Sequence, residues 1–291
     1  HAQSIQETLA LAQHCEALGY HRFWVSEHHS HPSIVGTAPE VLMAAIAMRT
    51  ERLRIGSAGV MLPHYSALTV AEQFRVLDAL APGRIDLGVG RAPGSDGRTA
   101  FALNPNANTA AAQFPQQVQE LMAWVTGADL PEGHAFKEIK AHPLGDTAPD
   151  VWMLGTSDYG AQCAAHFGMP YCFAHFITDG GGVARALDVY RQNYQPSADH
   201  PEPVVAICVW AIAAETEAEA RQRRFQGGEV DSASRNIARY VDKMADLYIP
   251  NLDVMMVYRL DRFGRGGHHR PFNEVGFPAV RIMETNENYT Q

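Results

Sequence analysis

Short apolar runs alternate with helical stretches along the first 222 residues, and this constrains the fold more than any other feature of the chain. The runs are 22 to 26, "LRIGSAGVML" (53 to 62), "RIDLGVGR" (84 to 91), "DVWMLG" (150 to 155), "MPYCFAHF" (169 to 176) and "PVVAICVWAIAA" (203 to 214). They are mostly apolar throughout, not at every second residue, as parallel strands covered on both faces are. Helices are predicted from the start of the chain to a C-cap at Gly19, then over 39 to 49, with Pro39 in its first turn, and over 67 to 80, 109 to 126, 158 to 167 and 182 to 193, with another from Glu215. The stretch 92 to 108 reads as a Gly-, Pro- and Asn-rich loop, and 127 to 149 as a linker with a hairpin. Alternation at this spacing predicts α/β, as a barrel or a doubly wound sheet. A closed barrel needs eight strands. Six are read to residue 222, and the chain opens on a helix, so a strand is expected ahead of His1. The predicted architecture is an incomplete (β/α)8 TIM-type barrel. Further on, a helix over 232 to 248 and the strand "LDVMMVYR" (252 to 259) make one more α/β unit that can fill part of an open barrel edge.

Composition narrows the class. A hydrophobic share of 46% supplies a core. The net charge of −9, from 23 basic and 32 acidic residues, speaks against nucleic acid, whose binders show a basic face. The four cysteines are scattered without a C-x-x-C pair, and Cys172 and Cys208 sit in apolar runs, so buried thiols are predicted in place of disulfides or zinc. No run approaches a membrane span and no signal peptide is visible, so a cytoplasmic enzyme is expected.

Polar residues gather after the strand ends: Glu27-His28-His29, Pro63-His64-Tyr65, Arg91, Thr156-Ser157-Asp158 and His175. That edge is the active face in both α/β architectures. His28 is the leading catalytic candidate, because it follows a buried strand beside Glu27 and a carboxylate can fix an imidazole's tautomer. His31, His64 and His200 read as surface or satisfied residues. His28 and His29 chelate one ion poorly, since neighbours on a strand face opposite ways, and no metal is expected there. "LGVGRAPGSDG" (87 to 97) is glycine-rich but is neither a dinucleotide fingerprint nor a P-loop. Arg91 within it is either a phosphate fork or a structural arginine in a turn. In "LGTSDYG" (154 to 160), Thr156 and Ser157 cap a helix whose free N–H groups suit an anion, although a plain N-cap reads the same way. The small residues of "GSAGVML" leave room for a flat ring.

Together these residues resemble the bacterial-luciferase-like flavin monooxygenases. The matching pieces are "ALGYHRFWVSEHH", "LRIGSAGVMLPHYSALTVAEQFRVLDALAPGRIDLGVGRAPG" and "VWMLGTSDYGAQCAAHFGMPYCFAHF", and they cover about 1 to 222. The resemblance implies a (β/α)8 barrel that binds reduced FMN or, in some branches, a deazaflavin, and uses dioxygen on a small organic substrate. A separate reductase would supply the reduced flavin, and a homodimer is expected. Carried over, His28 matches the active-site histidine, with Glu27 beside it. Arg91 matches the arginine on the flavin phosphate, and Thr156 and Ser157 match the start of the phosphate-binding helix. Ser57, Ala58 and Gly59 match the stretch beside the ring, where relatives carry a cis non-prolyl peptide at the position of Ala58-Gly59. The loop at 92 to 108 and the segment at 127 to 149 are candidate lids. The grip of Arg91 and the amides near Ser157 is expected to hold the ring toward His28.

The last quarter departs from that pattern. "DRFGRGGHHRPFNEVGFPAVRIMETNENY" is similar to the C-terminal tail of dizinc aminopeptidases, and the similarity runs from about 228 to 291. The expected domains are a flavin barrel at 1 to 224 and an aminopeptidase-like fragment at 225 to 291, joined as a fusion or an artefact, with both ends stopping inside a fold. The tail holds essentially no side chain that would bind the metals of a two-metal site, and His268-His269 reads as a solvated loop. A zinc metallopeptidase fragment and a non-catalytic flavin-binding remnant are the alternative functions.

Overall fold

A computed structural model describes residues 2 to 31, 34 to 178 and 180 to 210, with the backbone of a strand at 252 to 257. The chain divides into two compact units, His1–Leu154 and Gly155–Gln291.

In the first unit, helix α1 (Ala2–Ala17) leads through Gly19, at φ 83°, into β1 (Arg22–Val25). There follow α2 (Pro39–Ala47), β2 (Arg54–Met61), a 3-10 turn (Leu62–His64), α3 (Ala67–Leu80) and β3 (Ile85–Gly90). The strands pair in parallel and in chain order, Trp24 against Gly56 and Gly56 against Asp86. β4 (Asp150–Gly155) continues the array, with Gly88 against Trp152. Every residue of β3 is buried, as its unbroken apolar pattern predicts. Met43, Ile46, Ile55, Phe74, Ile85 and Leu87 are core, and each such side chain contributes roughly 1.5–3 kcal/mol by leaving water.

The exception inside β3 is Asp86, at 0% exposure. It accepts from Arg54 Nη2 at 2.6 Å, Trp24 Nε1 at 2.8 Å and Arg22 Nε at 3.1 Å. Burial pushes its carboxyl above the ordinary range, against the pull of Arg54 and Arg22. A β-carbon on Gly56 would stand 2.5 Å from the Trp24 ring and 2.8 Å from Asp86 Cβ, so only glycine fits there.

Between β3 and β4 the structure corrects the sequence reading. The expected loop at 92 to 108 contains α4 (Gly97–Leu103) and the start of α5 (Ala107–Ala112). Asp96 caps α4 by accepting from the Arg98 and Thr99 amides. The helix expected over 109 to 126 is split at Gln113, because Pro115 suits only a first turn, and α6 (Phe114–Thr126) begins there. Over 127 to 149 the described residues form turns, with no hairpin.

In the second unit Ser157 caps α7 (Asp158–His166), and β5 (Tyr171–Phe173), the short α8 (His175–Thr178), α9 (Val183–Asn193) and β6 (Val205–Trp210) follow. The segment read as one strand over 169 to 176 thus turns helical at His175. β5 pairs in parallel with β6, and β6 with β7 (Leu252–Val257), where Val205 faces Leu252. Tyr190 Oη donates to the Met169 carbonyl at 2.8 Å and accepts from the Val204 amide at 3.2 Å. Cys163, Cys172 and Cys208 are buried and stand in no disulfide, and burial pushes Cys208 up to about 12. The expected helices from Glu215 and over 232 to 248, and the aminopeptidase-like stretch with His268 and His269, lie outside the described residues. No described helix is long and apolar enough to cross a membrane. The described strand pairings are all parallel and helices follow the strands, which is the parallel α/β class of an incomplete (β/α)8 barrel.

Candidate active site

In the first unit the polar residues cluster at the carboxyl ends of β1, β2 and β3. His28 lies three residues beyond β1 and is 8% exposed. Its amide donates to the Gly36 carbonyl at 2.8 Å, which closes the intervening loop. Glu27 is 1% exposed. Its Oε1 accepts from Tyr65 Oη at 2.6 Å and lies 2.7 Å from His29 Nε2, and its Oε2 accepts from the Met61 amide at 2.9 Å. The sequence reading assigned Glu27 to His28 and singled out neither His29 nor Tyr65 in that role. Burial, with the Glu27 hydrogen bond second, drives the Tyr65 phenol far above its ordinary range, so it stays a donor.

Ser57, Ala58 and Gly59 interrupt β2. The pairing with β3 shifts register between Ser57 and Val60, and the Ala58–Gly59 peptide is cis, as the resemblance implied. Ser57 Oγ donates to the Gly88 carbonyl at 2.9 Å. A β-carbon on Gly59 would meet Leu154 Cδ1 at 2.2 Å. Ala58 is half-buried. From 56 to 59 no side chain is larger than that of Ser57, and Ala58 is the one residue of the four that is not fully buried.

Arg91 follows β3 directly and is exposed. The loop after it folds back over β2: Gly94 adopts φ 59°, and a β-carbon there would stand 2.9 Å from Met61 Cγ. His64 Nε2 donates to the Pro93 carbonyl at 2.7 Å, and Asn104 Nδ2 to the Pro63 carbonyl at 2.8 Å. His64 is therefore a buried latch for this loop through Nε2, while its Nδ1 is buried without a hydrogen-bond partner among the described residues, so the satisfied role expected of it is met at one ring nitrogen only.

In the second unit Thr156 is half-buried and Ser157 exposed. Ser157 Oγ accepts from the Gly160 amide at a long 3.4 Å. Asp158 opens the helix and is paired with Arg185 at 2.6 Å, which offsets a carboxylate beside the free amides.

Parallel strands with a small-residue cradle and buried acid–base groups at their carboxyl ends define a protein of the (β/α)-barrel class. The chain belongs to the luciferase-like monooxygenase family, whose model matches residues 1–253. It is 48% identical over 220 residues to the uncharacterized protein YwcH of Bacillus subtilis (strain 168), a match covering 75% of this chain and 65% of that one. A luciferase-like monooxygenase of Escherichia coli (strain K12) is 43% identical over 220 residues, covering 75% of this chain. The chain thus spans 65% and 63% of the length of these two relatives. Among solved structures, apo-MsnO8 superposes with TM-score 0.74 at 32% identity, covering 88% of each chain. Two others share the fold at lower identity. One is the oxygenating constituent of 3,6-diketocamphane monooxygenase of Pseudomonas putida in complex with FMN (17%, TM-score 0.59, 85% of this chain and 72% of that one). The other is an F420-dependent secondary alcohol dehydrogenase with an F420-acetone adduct (13%, TM-score 0.65, 87% and 89%). Over 103 residues the chain is also 37% identical to a probable zinc metalloprotease of Phaeosphaeria nodorum, covering 35% of this chain and 21% of that protein.

Proposed function

We propose that this chain carries the reduced-flavin site of a monooxygenase that takes reduced FMN from a separate reductase and uses dioxygen on a small organic substrate. The observation that carries this reading is the first unit's combination of buried His28 and Glu27 with the small-residue stretch 56 to 59. Family membership supports it. When bound, the flavin supplies the electrons and activates dioxygen.

The chain's own residues do the rest. His28 holds or moves a proton at the reacting centre, and Glu27 organises the groups around it. Ser57, Ala58 and Gly59 seat the ring. Arg91 offers a guanidinium to the phosphate, and Thr156 and Ser157 offer the amides that open α7. The segments 92 to 108 and 127 to 149 exclude water. A deazaflavin is the alternative cofactor. The reading extends to a homodimer in the cytoplasm, and to residues 225 to 291 as an aminopeptidase-like C-terminal fragment whose β7 pairs with β6.

Titration with reduced FMN, followed by absorbance and oxygen consumption, tests the function. Saturable binding is expected, and Arg91→Ala should weaken it about tenfold, the size of one charge-assisted contact. His28→Ala should keep flavin affinity and lose turnover. Binding of a deazaflavin in place of FMN selects the alternative cofactor, and binding with no oxidation of any substrate selects the non-catalytic remnant. Stoichiometric zinc by mass spectrometry would favour the peptidase reading instead.

A further inference from the structure

Glu27 is sealed from solvent, and both of its oxygens are already engaged within the first unit. A carboxylate so placed acts through its partners. An ionised carboxylate only accepts hydrogen bonds, so the imidazole nitrogen facing it carries the proton. That nitrogen is Nε2 of His29.

We propose that Glu27 works through His29, fixing that ring with its proton on Nε2 and leaving Nδ1 as a hydrogen-bond acceptor, and that Tyr65 is the positioning residue that keeps the carboxylate in place. This rests on the carboxyl edge being the active face, and it assigns two residues that the proposed function does not use. The supporting geometry spans three segments. His29 follows β1, the Met61 amide closes β2, and Tyr65 stands in the turn after it, 38 positions from Glu27. Three donors converge on one carboxylate, which fixes its plane. The raised Tyr65 phenol keeps one of them protonated across the working range.

The test reads the tautomer directly. Long-range proton–nitrogen correlation spectra of the whole chain, with His29 assigned by its loss in His29→Gln, are expected to show Nε2 protonated and Nδ1 bare. In Glu27→Gln the Met61 amide still needs an acceptor, so the side-chain carbonyl stays on that side. The NH2 group then faces His29 and donates to Nε2, and the proton moves to Nδ1. The tautomer ratio should change by about tenfold or more, the effect of one exchanged hydrogen bond. Tyr65→Phe, which removes one oxygen, should lower the ratio severalfold without inverting it. It decides alone if Glu27→Gln does not fold. A wild-type ring protonated on Nδ1, or ratios unchanged in the variants, would overturn the proposal. His28→Ala separates the two readings: surviving turnover sinks the role given to His28, while the His29 spectrum stands or falls independently.

Discussion

A β-carbon on Gly88 would lie 2.1 Å from the Ser57 carbonyl oxygen and 2.7 Å from Leu154 Cδ1. The first obstacle is backbone, so no rotamer relieves it. Gly88→Ala should therefore cost about 3 kcal/mol or more, read as a lowered midpoint in denaturant. Gly97→Ala is the control, since nothing lies within 4 Å of a β-carbon there, and its effect should stay within about 0.5 kcal/mol. Glu16 makes a second residue-scale case. Burial pushes its carboxyl up, but the amides of Arg52, Leu53 and Glu51, with the Arg52 charge, outweigh this and hold it below its ordinary range. A depressed carboxylate stabilises the fold above its unfolded pKa, about 4.3, and that stability is lost as pH falls through the folded value. Glu16→Gln should melt lower than the parent at pH 7, by about 1 kcal/mol after solvent screening, and the gap should close below about pH 4. At this scale the sequence showed which residues are polar at strand ends, but not their partners. Glu27 meets Tyr65 and Met61 only because β1 and β2 lie side by side, and no local pattern encodes that pairing.

At the scale of elements, β4 and α3 follow their patterns to the residue, because each is bounded by its own stop signals. The segment 127 to 149 does not. Its course is set by α3, some seventy positions earlier in the chain. Buried Arg75 donates to the carbonyls of Pro143 at 2.7 Å, Thr147 at 2.9 Å and Val125 at 3.1 Å, and buried Asp78 accepts from Thr147 Oγ1 at 2.7 Å. A hairpin reading had no access to these side chains. Arg75→Met, close in volume, should leave those carbonyls without their donor and cost about 2–4 kcal/mol. Amide exchange should rise across 141 to 149 before it rises in β2 or β3. If exchange rose first in the strands, Arg75 would be holding the core and not the segment. The split of 109 to 126 has a local cause that was legible in principle, namely Pro115 one position after Phe114.

Over the whole molecule, the parallel class follows from apolar runs that do not alternate, since only strands covered on both faces read that way. The sequence changes character near 224, yet β7 at Leu252–Val257 pairs with β6 in parallel, and the family model reaches residue 253. Residues 205 to 209 of β6 are buried, and β6 without β7 would present an unpaired strand edge. A chain stopped at 224 should therefore melt lower than the chain of 291 residues and associate in size-exclusion chromatography. A chain stopped at 258 keeps the β6–β7 pairing and should hold the parent's melting temperature. Equal melting of the 224 and 291 forms would mean that β7 adds nothing to the second unit. The two truncations thus separate the contribution of the strand that pairs with β6 from that of the residues after 258.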